Sequence, residues 1–389
     1  MAASQIGPCV PIHSGQVLQG VVGKELALAF ADKIKAIEEE MKRTQIHKHT
    51  EHHVGLLKAK LARLKAEQEH SQKSKRGGVG FEIRKEGDCT VALIGLPSVG
   101  KSMILNRLTN AKSKVGPYAF TTISIVPGIL EYKGAQIQIL DLPGIISGAA
   151  AGSGRGRRVL SVARNADLIL LIVDVFQPDQ ISVLNKELSE IGIRTNTKPP
   201  NITIRKTNQG GLNITATCNL TRLTLPTVRA VLSVYGIQHG NVIIREDITD
   251  DQLIDAVSEN RRYVPAITVL NKIDLVNPEY LAEVRERLGQ DFVPVSAERN
   301  TNLDQLKETV YGRLNFVRVY LKPRNGPPDF DMPMILTAGA NIADICAKLR
   351  GEIGPKAKYA LVSGPSVRFN SQRVGMDHIV QDQDVVTIV

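Results

Sequence analysis

The chain has 389 residues, 42% hydrophobic and 23% charged, which is the composition of globular domains and enough length for two or three of them. It carries a net charge of +10, no tryptophan and only 4% aromatic residues, which leaves little material for a base-stacking surface. The longest apolar run, Leu168 to Val173, is far too short to cross a bilayer, so no membrane role is expected.

Residues 1–22 read as an irregular tail. Pro8, Pro11 and three glycines interrupt it, and it lacks the apolar centre of a signal peptide. Residues 23–80 read as a basic helical region with a linker. Apolar residues recur at Leu26, Phe30, Ile34, Ile37 and Met41, then at Val54, Leu57, Leu61 and Leu64, which predicts two helices arranged as a hairpin. Between Met41 and Arg76 ten Lys/Arg stand against three Glu. That excess suits a polyanion such as RNA or the ribosome, or simply a solvated helix surface; no DNA partner is expected. His47, His49, His52 and His53 have no acidic or thiolate ligands at metal spacing and read as polar helix positions. Cys9, Cys89, Cys218 and Cys346 form no C-x-x-C pair, which predicts a reducing compartment and no zinc site. Ser71 to Gly80 is a glycine-rich basic linker.

From about Asp88 strands and helices alternate, which predicts an α/β doubly wound sheet with parallel strands. The apolar stretch Cys89–Ile94 leads into Gly95-Leu96-Pro97-Ser98-Val99-Gly100-Lys101-Ser102, and helical spacing resumes at Met103. This is G-x-x-x-x-G-K-[ST] between a strand and a helix, the phosphate-binding loop. Gly95 and Gly100 let the backbone curl so that successive amides point at one anion. Pro97, Ser98 and Val99 complete the cradle, Lys101 reaches the β- and γ-phosphates, and Ser102 offers a hydroxyl to Mg²⁺. Phe120-Thr121-Thr122 follows in a polar stretch, then strands at Ile123–Glu131 and Gln136–Leu140. The second strand ends in Asp141-Leu142-Pro143-Gly144, the layout of a Mg²⁺-associated Asp and a γ-phosphate-sensing glycine. Gly148 to Arg158, basic and flexible, stands where a triphosphate can order a loop; a plain surface loop is the alternative.

Asp167 to Val175 predicts a fully buried strand and Val183 to Ile191 a helix. The pattern then changes. Strands at Ile202–Ile204, Leu212–Thr217 and Asn241–Arg245, with a helix at Leu225–Tyr235, predict a small α+β insertion over 195–248 that divides the nucleotide domain into 81–194 and 249–313. The sheet resumes at Ala266–Leu270 and runs into Asn271-Lys272-Ile273-Asp274. A carboxylate at Asp274 accepts hydrogen bonds from guanine N1–H and the N2 amino group. Adenine offers neither, and the unpaired carboxylate would discriminate against it. Lys272 can lie along the base plane, and Asn271 can tie this loop to the phosphate loop. Ser296-Ala297, after a strand at Phe292–Val295, suits a backbone contact to guanine O6. Residues 314–389 form a β-rich module with strands at Ile335–Leu336, Tyr359–Val362 and Val385–Val389 and a helix at Ile342–Leu349.

The ordered set Gly95–Ser102, Thr121-Thr122, Asp141–Gly144, Asn271–Asp274 and Ser296-Ala297 resembles translation-factor-class GTPases. H-H-V-G-L-L-K-A-K-L-A (52–62), D-L-P-G-I-I-S-G-A, G-R-G-R-R-V (154–159), Y-A-L-V-S-G (359–364) and Q-R-V-G-M-D-H (372–378) narrow the resemblance to the developmentally regulated GTP-binding proteins of the Obg-related group. K-P-P-N-I (198–202), N-I-T-A-T-C (213–218) and the D-x-D-V-V-x-I-V ending lean to the first subtype. The resemblance implies a P-loop GTPase domain with an inserted S5D2-like module, N-terminal helices and a C-terminal TGS domain of β-grasp form. It also implies cytoplasmic hydrolysis of GTP to GDP near translating ribosomes, and a dedicated regulatory protein. Lys101, Thr121, Thr122 and Gly144 are the expected catalytic set; Ser102, Asp141 and one of Thr121 or Thr122 are the expected Mg²⁺ set. Ile145 stands where Ras-like enzymes carry the water-orienting Gln, which predicts slow turnover with water placed by backbone, a monovalent cation such as K⁺, or a partner. Relatives that use K⁺ hold it with an Asn where this chain has Ser98. Met103, where the family usually has Thr, and the stretch 147–153, without acidic or lysine residues, are departures.

Overall fold

The structure is a computed structural model that describes residues 30–45, 50–74, 87–109, 126–142, 162–258, 260–289, 291–349 and 358–389, with residues 69–74 as backbone only. The described residues fall into two compact units. One draws on residues 1–80 and 198–261, the other on 81–197 and 262–389.

The larger unit is built on a six-stranded sheet: β1 (Cys89–Ile94), β2 (Val126–Tyr132), β3 (Ala135–Asp141), β4 (Leu168–Asp174), β10 (Ala266–Asn271) and β11 (Val293–Pro294). Their order is β11-β10-β4-β1-β3-β2. All pair in parallel except β2, which runs antiparallel to β3. C-T-V-A-L-I and L-I-L-L-I-V are continuous apolar runs because β1 and β4 are covered on both faces. One face packs on helices Gln180–Glu190 and Pro278–Leu288 through Leu184, Leu188 and Val284. The other packs on helices Lys101–Leu108 and Leu303–Leu314 through Ile104, Leu105, Leu306 and Val310. Successive connections leave β1 toward opposite edges, so a crevice opens at the carboxyl ends of β1, β3, β4 and β10.

Two three-residue strands, β5 (Ile193–Thr195) and β9 (Arg262–Val264), pair in parallel at the points where the chain leaves this unit and returns to it. The C-terminal sheet has the order β13-β12-β16-β14-β15, from β12 (Phe316–Leu321), β13 (Met334–Thr337), β14 (Ala360–Ser363), β15 (Gln372–Val374) and β16 (Asp384–Ile388). Only β12 and β16 pair in parallel, the β-grasp arrangement. Helix Ile342–Lys348 covers it. Its start is fixed by a reciprocal cap in which Asn341 Oδ1 accepts from the Asp344 amide and Asp344 Oδ2 from the Asn341 amide. Lys348 Nζ bonds Asp88 Oδ1 at 2.7 Å just before β1.

The smaller unit contains β6 (Ile202–Lys206), β7 (Leu212–Ala216) and β8 (Gly240–Ile244) in the order β6-β8-β7, within two residues of the expected strands. Helices Leu225–Val234 and Asp250–Ser258 share a core with this sheet, as does helix Glu51–Ser74. The unit extends past residue 248 because Leu253, Ile254 and Val257 belong to that same core. Helix 30–43 and helix Glu51–Ser74 are joined by a His53–Glu40 pair at 3.0 Å and a Lys65–Glu38 pair at 3.3 Å, the expected hairpin. His52 Nδ1 bonds Thr227 Oγ1 at 3.0 Å, so these two histidines serve packing and pairing. Several of the basic residues are also engaged: Lys58 lies 3.0 and 3.1 Å from Asp250 and Asp251, and Arg63 bonds Glu67 at 2.7 Å. Leu232 is fully buried here. Leu232→Ala leaves a cavity among β8 and the helices and is expected to lower the unfolding free energy by about 2–5 kcal/mol, read from the urea midpoint.

Candidate nucleotide-binding site

The phosphate loop leaves β1 and turns through left-handed backbone at Ser98, φ 65°, and Gly100, φ 93°. A Cβ at Gly95 would strike the Ile172 carbonyl, and one at Gly100 would overlap Asn271 Nδ2. Both glycines of the motif are therefore required by close approach. Helix Lys101–Leu108 starts with no side-chain cap, which leaves its leading amides to an anion. Lys101 is buried, and its Nζ donates to the carbonyls of Gly95 at 3.1 Å and Leu96 at 2.8 Å. Burial pushes this amine below the usual lysine range, against the pull of Asp141.

Ser102 Oγ donates to Asp141 Oδ2, while Asp141 Oδ1 is buried with no partner among the described residues. Burial pushes the Asp141 carboxyl above its ordinary range, opposed by the Ser102 bond and by Lys101. A buried carboxylate oxygen in want of a cation beside a hydroxyl is a hard oxygen donor set, which fits Mg²⁺.

Asn271 is 2% exposed and joins the two halves of the site. Its Nδ2 donates to the Val99 carbonyl at 2.9 Å, and its Oδ1 accepts from the Ala297 amide at 3.2 Å. The Ala297 amide, expected at guanine O6, is thus engaged with Asn271 in this structure. Lys272 adopts φ 68°, and its Nζ bonds Asp174 Oδ2 at 2.6 Å. Asp174 Oδ1 accepts from the Phe176 amide at 3.0 Å, which fixes the carboxylate at the end of β4. Asp274 Oδ1 accepts from Ser296 Oγ at 2.6 Å, and Ser296 Oγ accepts from the Arg299 amide at 3.1 Å. Ser296 therefore orients the carboxylate through its side chain. Arg107 Nε, from the helix after the phosphate loop, donates to the Ala297 carbonyl at 3.1 Å.

Gly95, Pro97, Ser98, Val99, Gly100, Lys101, Ser102, Asp141, Asn271, Lys272, Asp274, Ser296 and Ala297 thus all lie at the carboxyl edge of one sheet or on the loops that leave it. Thr121, Thr122, Gly144, Ile145 and the stretch 148–158 lie outside the described residues. Sequence reasoning missed Asp174, Arg107 and Arg299. Only Asp174 had a signal, as the acidic residue that ends an apolar run.

Residues 90–206 match the family described as 50S ribosome-binding GTPase, 209–316 the C-terminal region of that domain, and 317–389 the TGS domain. The chain is 46% identical to the developmentally-regulated GTP-binding protein 2 homolog of Dictyostelium discoideum, over 93% of this chain and 100% of the relative. The chain belongs to the developmentally-regulated GTP-binding protein family. An uncharacterized GTP-binding protein of Methanocaldococcus jannaschii is 49% identical over 97% of this chain and 95% of its own length. The ribosome-interacting GTPase 1 of Saccharomyces cerevisiae is 45% identical over 92% and 98%. A match this high to a relative named for the second member establishes the family and not the subtype.

At neutral pH the ionised Asp141 is a cost to the unliganded fold. Its folded pKa is raised, so its favourable contribution is present below the ordinary carboxylate range and lost as pH rises through the raised value. Asp141→Asn is expected to stabilise the ligand-free protein by about 1 kcal/mol at neutral pH. The gain should vanish in acid, and thermal midpoints across a pH series check both.

Proposed function

We propose that this chain is a slow GTPase switch that converts GTP to GDP and phosphate in association with ribosomes. The observation that carries the reading is the Asn271 bridge, which holds the phosphate loop and the Asp274 carboxylate as one rigid receptor. Asp274 would accept the N1–H and N2 amino protons of guanine, and Lys272, held by Asp174, would flank the base. Gly95 to Ser102 would wrap the phosphates. On binding, Lys101 would exchange the Gly95 and Leu96 carbonyls for phosphate oxygens, which are stronger acceptors for an ammonium. Thr121 or Thr122 and the Gly144 amide would meet the γ-phosphate. Ser102, Asp141 and one of these threonines would hold Mg²⁺, which supplies neutralisation of the charge that develops on the phosphoryl oxygens.

The Ile145 side chain offers no hydrogen bond to an attacking water, and this favours slow intrinsic hydrolysis. The same residue supports a second reading, a nucleotide-gated RNA- or ribosome-binding module with incidental hydrolysis. The family description and the name of the yeast relative support ribosome association. A cytoplasmic location, a dedicated regulatory protein and help from K⁺ complete the proposal.

Asp274→Asn keeps one acceptor and replaces the other with a donor that would face the guanine N2 amino group. Guanine nucleotide affinity is expected to fall about 10²- to 10⁴-fold, with xanthine nucleotides, which carry an oxygen at that position, now preferred; titration calorimetry measures both. Single-turnover hydrolysis should be slow in Na⁺ buffer and accelerate with ribosomes or K⁺. A rate that no addition changes would favour the gated-binding reading, and a fast rate in Na⁺ alone would remove the slow-switch proposal.

A further inference from the structure

The outer face of the β6-β8-β7 sheet has no assigned role. Its inner face is apolar: Ile204, Val242 and Ile214 align across the three strands and pack on the helices. The outer face alternates with them. Arg205, Asn241 and Asn213 form one cross-strand row, and Thr203, Ile243 and Thr215 form the next. Arg205, Asn241, Asn213 and Thr215 are exposed, and these six residues contribute to a concavity of about 280 Å³. Two residues beyond Ile243 of the second row, Arg245 lies on the same face and donates to Thr203 Oγ1 at 2.8 Å. Two N-I-T tripeptides, 201–203 and 213–215, supply both threonines from strands on either side of β8.

The chemistry of this face is selective. The three strands contain no acidic and no aromatic residue. Two guanidinium groups frame a row of amides and hydroxyls. Cationic ends suit phosphates, and the strands themselves add no carboxylate; Glu246, next to Arg245 and just past β8, accepts from the Asn201 amide at 2.8 Å. Hydroxyl and amide groups both donate and accept, which matches the ribose 2′-OH. Without aromatic side chains the face cannot stack splayed bases, so single strands gain little from it. The wide, shallow minor groove of an A-form helix displays 2′-hydroxyls between two lines of phosphate.

We propose that the outer face of this sheet docks double-helical RNA across its minor groove, with Arg205 and Arg245 on phosphates and Asn213, Asn241 and Thr215 on 2′-hydroxyls. The surface rests on the reading of a ribosome-associated chain and gives that association a site apart from the basic helices.

The test uses the full chain and a dye-labelled RNA hairpin of about 16 base pairs, the span of a duplex-RNA module, followed by fluorescence anisotropy. A DNA hairpin of the same sequence, oligouridine and polyglutamate serve as competitors. Arg205→Glu is expected to weaken hairpin binding at least about tenfold and to flatten its salt dependence. Asn213→Ala with Asn241→Ala should erase the preference for RNA over DNA, while fluorescent guanine nucleotide binding stays at the wild-type value for both variants. Hairpin binding that ignores both variants, or that DNA, oligouridine or polyglutamate displaces as well as RNA does, overturns the proposal. Ribosome co-sedimentation separates the two readings. A chain that pellets with ribosomes yet shows hairpin binding indifferent to Arg205→Glu loses this surface alone. A chain that neither pellets nor binds the hairpin loses both.

Discussion

The nucleotide site depends on one amide side chain. Asn271 reaches from the end of β10 to the Val99 carbonyl, 172 residues earlier, and takes the Ala297 amide on its other side. It is buried, so each of these bonds is made where an unpaired polar group would be costly. At the second glycine of the phosphate loop the backbone is left-handed and a Cβ would also overlap this amide. Two motifs far apart in sequence thus meet: Asn271 of N-K-I-D limits the room available at Gly100 of G-L-P-S-V-G-K-S. A ligand that spans both finds them already in register, and less ordering has to accompany its binding.

Around this bridge the site holds charge in an unfavourable state until a ligand arrives. Lys101 is folded onto carbonyls of its own loop, and Asp141 keeps one oxygen buried without a partner among the described residues. Burial moves the two groups toward neutrality from opposite directions. A phosphate and a divalent cation would relieve both at once. The ligand-free fold thus bears a local cost that a bound ligand would offset.

Much of this was legible because it is written in short contiguous words. G-L-P-S-V-G-K-S, D-L-P-G and N-K-I-D each sit at the end of a strand, and buried strands announce themselves as apolar runs. What was not legible depends on tertiary approach. Asp174 holds Lys272, and Arg107 donates to the Ala297 carbonyl, but no sequence spacing links those partners. Strands β5, β9 and β15 have three residues each, too short for an alternating pattern to emerge. Helix Asp250–Ser258 has an ordinary amphipathic sequence, and nothing in it says which core its Leu253 and Ile254 join. The basic stretch looked like free charge, yet Lys58, Arg63 and Lys65 all find carboxylates in the fold.

The short clasp between Ile193–Thr195 and Arg262–Val264 carries a further consequence. Because the outgoing and incoming strands are hydrogen-bonded neighbours, the sheet that bears the nucleotide site sees residues 198–261 as a loop closed at its base. Closing that base costs little more for a long loop than for a short one. The length of that segment is therefore weakly constrained at the clasp, while helix Glu51–Ser74, which shares its core, constrains the segment from within. The clasp thus fastens the two ends of the excursion to each other, so the spacing of β4 and β10 does not rest on the length of chain between them.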